Sequence, residues 1–365
     1  MVRRRWLLGV LVVAGCQGDR APDWARTYRA RSAAVPATCT RDVGQVQTFA
    51  PGGAPVDPKR PVHTYSIVAR DPVTGDLGVA VQSHWFAVGN GVLWAESGVG
   101  AVATQSFAEP EYGRKGLEGM RGGMAAPDVL AALVAEDKAQ AVRQVGMVDA
   151  MGRASAHTGS SCIAFAGQHV GDGYTVHANL MANDRVVPAM ANAYESTRGE
   201  LADRLMAALD AAQEAGGDVR GCQSAAMRVV KGTPSGKPTH DVRVDIRVDD
   251  SAAPLVELRR LLDLARVYDQ MNAGDLAVEK GDVAAARDHY SAAAKAAPGV
   301  AEIRYWQAVG LANAGQVEES LPIFKGVFRE DGRWVETTRR LQPGVVPPGP
   351  KGDELIQRIL TQAPR

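Results

Sequence analysis

Short β-rich runs separated by turn residues constrain the fold of this chain more than any other feature. Residues 64–70 and 77–82 flank the segment Asp71-Pro72-Val73-Thr74-Gly75-Asp76, and such a Pro/Gly turn between two β-rich runs predicts a hairpin. A second hairpin is predicted from 145–149 and 153–157 around Ala150-Met151-Gly152. Because hairpin strands pair antiparallel, the sequence predicts antiparallel sheets.

Helical patterns alternate with further predicted strands. The predicted helices are 116–121, 126–136, 185–196 and 200–215, and the further strands are 99–107, 224–230, 242–248 and a run from Tyr174 to Asn179. Strands joined by hairpins and interrupted by helix pairs are typical of antiparallel sheets covered by helices. The expected class is α+β.

From about residue 254 the sequence becomes helical and a period of 34 residues appears. It aligns Val267 with Ala301, Gly281 with Gly315, Tyr290 with Phe324, and Ala293 with Val327. A helix-turn-helix unit of this length is typical of tetratricopeptide repeats. Two copies are fewer than a free-standing array needs, so neighbouring elements must cap them. The repeats could serve packing, dimer contacts or peptide binding.

The N-terminus predicts export. Three arginines, Arg3 to Arg5, precede an apolar run from Trp6 to Ala14, which is the order of a secretory signal and is much shorter than the roughly 20 residues of a membrane span. The string Val13-Ala14-Gly15-Cys16 resembles the lipobox of bacterial lipoproteins, which implies an acylated Cys16. Gln17 implies sorting to the outer membrane of a diderm bacterium.

These patterns divide the chain into five expected segments. They are a signal peptide at 1–15, a flexible tether rich in Ala, Pro, Gly and Arg at 16–62, an α/β domain at 63–250, helical repeats at 251–340 and a C-terminal tail at 341–365.

Composition excludes several functions. Lys+Arg and Asp+Glu number 41 each, so no basic excess attracts nucleic acid. The chain has no C-x-x-C and its seven His are scattered, so we expect neither a metal nor another cofactor. After export Cys39, Cys162 and Cys222 can form at most one internal disulfide, and the sequence leaves its pairing open.

Polar residues at strand ends are the remaining candidates for chemistry, because the G-x-S-x-G elbow, the P-loop and H-E-x-x-H are all absent. The candidates are Thr64, Ser66, Ser83, His84, Gln105, His157, Thr158 and Asn179. Taken singly, a strand Thr or a strand-end His is an ordinary structural residue.

Taken as strings, the same regions resemble a known family. The strings are Thr64-Tyr65-Ser66-Ile67-Val68-Ala69-Arg70-Asp71, Gly78-Val79-Ala80-Val81-Gln82-Ser83-His84-Trp85-Phe86, Gly100-Ala101-Val102-Ala103-Thr104-Gln105-Ser106-Phe107, Arg143-Gln144-Val145-Gly146-Met147-Val148-Asp149 and Ala156-His157-Thr158-Gly159. They resemble domain-of-unknown-function family 1028, which is placed among the N-terminal-nucleophile (Ntn) hydrolases. The resemblance covers about 64–248 and implies a four-layer αββα sandwich.

The resemblance also implies a site. In Ntn hydrolases the first residue of the first strand is the nucleophile and its free α-amine is the base; Thr64 is the matching position, with Ser66 on the same face as an alternative. Asn179, or backbone N–H groups near Ser83 and His84, would stabilise an oxyanion. His157 would orient substrate or act as a second base. Together with Ser83 and His84, Gln105 and Thr158 are the candidate substrate-binding residues.

Two functions follow as expectations. The first is an exported Ntn hydrolase acting on an amide bond of a small molecule or peptide in the cell envelope, which requires cleavage between His63 and Thr64. The second is a non-catalytic envelope lipoprotein that binds a ligand and docks proteins through its repeats. A lipid on Cys16 and a free amine on Thr64 cannot both belong to one uncut chain.

Overall fold

The structure is a computed structural model that describes residues 64–341, 345–347 and 349–364. The predicted signal peptide, the lipid-attachment site at Cys16 and the tether lie outside the described residues. The described chain divides into two units, one ending at Ala273 and one starting at Gly274. Each unit is described by itself below.

The first unit contains two antiparallel sheets. The strands are β1 Thr64–Arg70, β2 Leu77–Ser83, β3 Leu93–Glu96, β4 Gly100–Ser106, β5 Arg143–Asp149, β6 Ala154–Thr158, β7 Gly167–Gly171, β8 Tyr174–Ala178, β9 Ser224–Val230 and β10 Val242–Val248. Six of them form a sheet in the order β10-β9-β2-β1-β8-β7, and the other four a sheet in the order β3-β4-β5-β6.

Helices cover both sheets. They are α1 Gly89–Val92, α2 Glu111–Arg121, α3 Ala126–Glu136, α4 Val186–Ser196 and α5 Leu201–Glu214, followed by α6 Pro254–Glu279. An apolar core joins the six-stranded sheet to α4, α5 and the start of α6, and another joins the four-stranded sheet to α2 and α3. A third core, which includes Val68, Val79, Ala101 and Val148, lies between the two sheets.

The structure confirms the α+β class with antiparallel sheets and a helical C-terminal region. The first hairpin follows from its turn, in which the Asp71 carboxylate accepts hydrogen bonds from the backbone N–H groups of Val73 and Thr74. Strands β3 and β7 were not predicted. Helix α2 begins at Glu111 rather than at residue 116. Its first turns contain Gly113, where a Cβ would lie 2.3 Å from the indole ring of Trp94, so the close packing of that ring requires glycine.

The second unit is helical. Its helices after α6 are α7 Val283–Ala296, α8 Ala301–Asn313, α9 Val317–Glu330, α10 Arg333–Arg339 and α11 Pro350–Leu360. Helices α7 and α9 begin 34 residues apart and each follows a glycine with positive φ, 75° at Gly281 and 82° at Gly315. Such residues end the preceding helix in a conformation that favours glycine. Tyr290 and Phe324, one period apart, are both buried.

Candidate functional site

The site lies in the space between the two sheets, at the edge where β1 begins and where β2, β4, β6 and β8 end. We call this the Thr64 edge. Successive residues of a strand point to opposite faces, so Tyr65 and Ile67 enter the core beneath the helices, whereas Thr64 and Ser66 face the four-stranded sheet. Both hydroxyl residues are completely buried.

Thr64 is held at its hydroxyl and at its carbonyl group. It pairs with Ser83 across the β1–β2 ladder, and its Oγ1 donates a hydrogen bond of 3.1 Å to Ser83 Oγ. Its carbonyl oxygen accepts from the backbone N–H of Asn179 at 3.1 Å and from Gln105 Nε2 at 3.0 Å. Two sheets therefore fix the position of one threonine.

Three side-chain amides form a continuous hydrogen-bond network beside Thr64. Gln105 Oε1 accepts from Ser66 Oγ at 2.5 Å, and Gln105 Nε2 donates to Gln144 Oε1 at 2.7 Å. Asn179 Nδ2 donates to the same Gln144 oxygen at 2.8 Å. Gln144 Nε2 donates in turn to the carbonyl of Ala178 and to Thr158 Oγ1. These partners orient all three amides, and a buried network that is fully paired is rigid.

Gln144 is a site residue that the sequence analysis did not single out. It is completely buried at the second position of β5. The signal that could have identified it is its alternation with Gly146 and Val148, which places a polar residue on an inward face of an otherwise apolar strand.

The structure brings six of the predicted site residues to the Thr64 edge: Thr64, Ser66, Ser83, Gln105, Thr158 and Asn179. His84 follows Ser83 directly, and its backbone N–H donates to Asp218 Oδ2 at 3.3 Å. His157 is not part of this group. It pairs with Val145, which faces α2 and α3, and its Nε2 lies 2.9 Å from the Gln140 carbonyl oxygen. The alternation along β6 sends Thr158 and His157 to opposite faces.

An ion pair between Asp218 and Arg220 also lies at this edge and was not predicted. Arg220 Nη2 is 2.6 Å from Asp218 Oδ2, and the Asp218 side chain is fully buried. Burial, with a smaller contribution from the Asp218 carboxylate, raises the pKa of Tyr65. Tyr65 therefore stays protonated and donates to Gln213 Oε1 at 3.0 Å. The two ion-pair residues come from a loop with no sequence pattern that marks them.

Replacing Gln144 by leucine is expected to lower the free energy of unfolding by about 2–4 kcal/mol, because it removes the buried oxygen that accepts hydrogen bonds from both Gln105 and Asn179. Denaturant unfolding measures the change. The matched control is Gln168→Leu, at the solvent-exposed end of the same network, where Gln168 Oε1 accepts from Thr158. Equal effects of the two substitutions would contradict the structural role of Gln144.

No cluster of three or more His, Cys, Asp or Glu in the described part of the chain could hold a metal ion. Among the described helices, none has the length and apolar character needed to cross a membrane.

Comparison with known proteins gives a family. A model described as "Family of unknown function (DUF1028)" matches residues 64–258. The crystal structure of protein SPO2555 from Silicibacter pomeroyi, which is assigned to the same family, is 30% identical with a TM-score of 0.50, over 56% of this chain and 86% of that one. No curated protein matches the sequence.

Proposed function

The chain belongs to the family of unknown function DUF1028, and we propose that it is an Ntn hydrolase that cleaves an amide bond, with Thr64 as its nucleophile. The observation that carries this proposal is the placement of Thr64. It is the first residue of a central strand, and its hydroxyl and carbonyl are fixed by Ser83, Asn179 and Gln105. The order of layers also supports it, since two facing sheets with helices on their outer sides are what an αββα sandwich requires.

The proposed mechanism begins with hydrolysis of the His63–Thr64 peptide bond, which gives Thr64 a free α-amine. An α-amine has a pKa of about 7.7–8.0, so near neutral pH a usable fraction is unprotonated and can take the proton from Oγ1. Oγ1 then attacks the carbonyl carbon of the substrate amide. The resulting ammonium returns its proton to the leaving amine, and an acyl ester remains on Thr64.

Asn179 is the proposed oxyanion donor. Its Nδ2 donates to Gln144 Oε1, and this bond fixes the orientation of the amide. A donor that needs no reorganisation stabilises the charge that develops on the tetrahedral intermediate. Water, activated by the α-amine of Thr64, then hydrolyses the ester and releases the acid. Gln144 acts as a positioning residue for Asn179.

Intact mass and N-terminal sequencing of the exported protein test the proposal directly. We expect a chain whose sequence starts at Thr64, accompanied by hydrolysis of one member of an amide screen. A chain that begins at Cys16 and remains uncut would overturn the N-terminal mechanism, because the Thr64 nitrogen would then be an amide and not a base.

The second candidate function is non-catalytic ligand binding. One observation favours it: Thr64 has no exposed surface. In an uncut chain this burial would keep the hydroxyl away from any substrate, and the domain would then bind a ligand or partner without turnover. The same sequencing experiment separates the two functions.

Export and anchoring complete the proposal. The signal-like residues before Cys16 support an outer-membrane lipoprotein with an acylated Cys16. The matching glycine and aromatic positions of α7 and α9, Gly281 with Gly315 and Tyr290 with Phe324, support tetratricopeptide-like repeats. These would dock a partner protein or a second copy of the chain.

A disulfide would allow the cleaved protein to keep both the lipid on Cys16 and a free amine on Thr64. Cys222 is disulfide-bonded, whereas Cys162 is a free thiol whose pKa is raised by partial burial. Because Cys162 is free and Cys16 is taken to be acylated, we propose Cys39 as the partner of Cys222. Cys222 adjoins Gln223, whose backbone N–H donates to the Ser83 carbonyl at 3.0 Å, so Cys222 lies close to the proposed nucleophile.

We therefore expect the cleaved protein to keep its N-terminal fragment until it is reduced. Intact mass without reductant should show a single species in which the two fragments are covalently joined. Reductant should separate this species into the two fragments. Cys222→Ser should release the fragment without reductant, whereas the control Cys162→Ser should not. Release of the N-terminal fragment without reductant from the protein that keeps all its cysteines would contradict the disulfide link.

A further inference from the structure

The phenylalanines of the first unit are distributed unusually. Residues 64–273 contain three, Phe86, Phe107 and Phe165, and none of them belongs to the buried cores. All three lie in loops at the Thr64 edge. Phe86 is 64% exposed and Phe165 is 51% exposed, although large apolar side chains are usually inside.

The chain connections place each phenylalanine close to the nucleophile. Phe86 is three residues beyond Ser83, the strand partner of Thr64. The Phe165 carbonyl accepts from the backbone N–H of Met181, two residues beyond Asn179. Phe107 directly follows Ser106, the last residue of β4. It is therefore two positions beyond Gln105, which belongs to the facing sheet.

Two aliphatic residues extend the same surface. The Ile163 carbonyl accepts from the backbone N–H of Leu180 at 2.9 Å, and the Val219 N–H donates to the Leu180 carbonyl at 3.2 Å. Both side chains are exposed, Ile163 by 40% and Val219 by 60%. Together with Phe86, Phe107 and Phe165 they form what we call the apolar rim.

The rim is preformed. Its loops are fixed by backbone hydrogen bonds, and two residues beside it, Leu180 and Ser106, have left-handed backbone conformations with φ of 55° and 68°. Strained conformations of non-glycine residues cluster at functional sites, where the surrounding structure holds them. Apolar surface around a few fixed polar groups is the usual composition of a small-molecule site.

We infer that the apolar rim binds the acyl group of the substrate and that this group is an apolar chain or ring. The inference rests on the proposed function, because Thr64 and Asn179 lie at the same edge as the rim and would act on the carbonyl that such a group carries. Burial of apolar surface on the rim would supply binding energy next to the scissile bond.

Acyl chain length provides the test. The probes are N-acetylglycine, N-butanoylglycine and N-octanoylglycine. Binding to the Thr64→Ala chain is measured by calorimetry, and glycine release is measured with the processed protein. We expect affinity and kcat/KM to rise about two- to fourfold for each methylene group, which corresponds to burying most of it.

The variants use exposed positions so that the fold is retained, as thermal unfolding would verify. Phe86→Ser combined with Phe165→Ser should remove the dependence of affinity and of kcat/KM on acyl chain length. The matched control is Met151→Ser. Met151 is 76% exposed, but it lies in the turn after β5, at the opposite end of that strand from Gln144.

The outcomes separate the rim from the proposed function. Graded binding without turnover would support the rim and count against hydrolysis. Turnover that does not depend on chain length, with equal affinity for all three probes, would overturn the rim and leave hydrolysis standing. A solution dimer that dissociates in the double Phe variant would also overturn the inference, because the rim would then be a contact between copies.

Discussion

Replacing Thr64 by alanine is expected to abolish amide hydrolysis, lowering kcat/KM by about 10³-fold or more. The alanine keeps the α-amine of a processed chain but removes the oxygen that we propose as the nucleophile, which donates to Ser83 Oγ in the structure. The variant has to be compared as protein already cleaved before residue 64, so that loss of processing is not mistaken for loss of chemistry.

Thr64→Ser and Ser66→Ala are the matched variants. Serine restores a hydroxyl at the same atom and should recover most of the activity, whereas Ser66→Ala only removes one donor to Gln105 and should cost far less than Thr64→Ala. The reverse ranking would make Ser66 the nucleophile. The kcat/KM profile should rise with pH through the α-amine pKa of about 8, and a flat profile there would argue against the amine as base.

Lowering the pH from 6.5 to 3 is expected to destabilise the protein by up to about 4 kcal/mol through His177 alone. This residue is completely buried between the sheets, and neither ring nitrogen has a hydrogen-bond partner among the described residues. Burial lowers its pKa from 6.5 to about 3, because the charged ring would lose its hydration.

The direction follows from the two pKa values. Below pH 6.5 the unfolded chain binds a proton on His177 that the folded chain does not bind until about pH 3. Protonation therefore favours unfolding, the stabilisation is complete above pH 6.5, and its loss is complete once the pH falls below the folded-state pKa.

Urea unfolding at a series of pH values measures this effect. His177→Leu should flatten the slope of stability between pH 6.5 and 3, even if its stability at pH 7 is lower. The control is His240→Leu. His240 lies on an exposed turn, so this variant should keep the wild-type slope of stability against pH. If His177→Leu also keeps that slope, another group is responsible for the acid sensitivity.

Local patterns predicted much of the first unit. Strands β1, β9 and β10 and helix α3 have the predicted bounds, because alternation, turn residues and the 3.6-residue period are short-range properties. The same alternation placed Thr64 and Ser66 on one face before the partner of that face was known.

The composition of the site was less predictable. Gln144 joins it through a pairing with Gln105 on β4 and a contact with Asn179 on the other sheet, whereas His157 leaves it because one residue along β6 reverses the face. Strand order and sheet stacking set both outcomes, and neither is encoded in a window of a few residues.

The sequence by itself determined most of the elements, their amphipathic faces and the family resemblance, since these depend on residue type and spacing along the chain. Only the tertiary structure decided that Thr64, Gln105, Gln144 and Asn179 meet and that three phenylalanines gather around them. Those contacts join residues 35 to 115 positions apart, and their formation depends on the free energy of packing two sheets together.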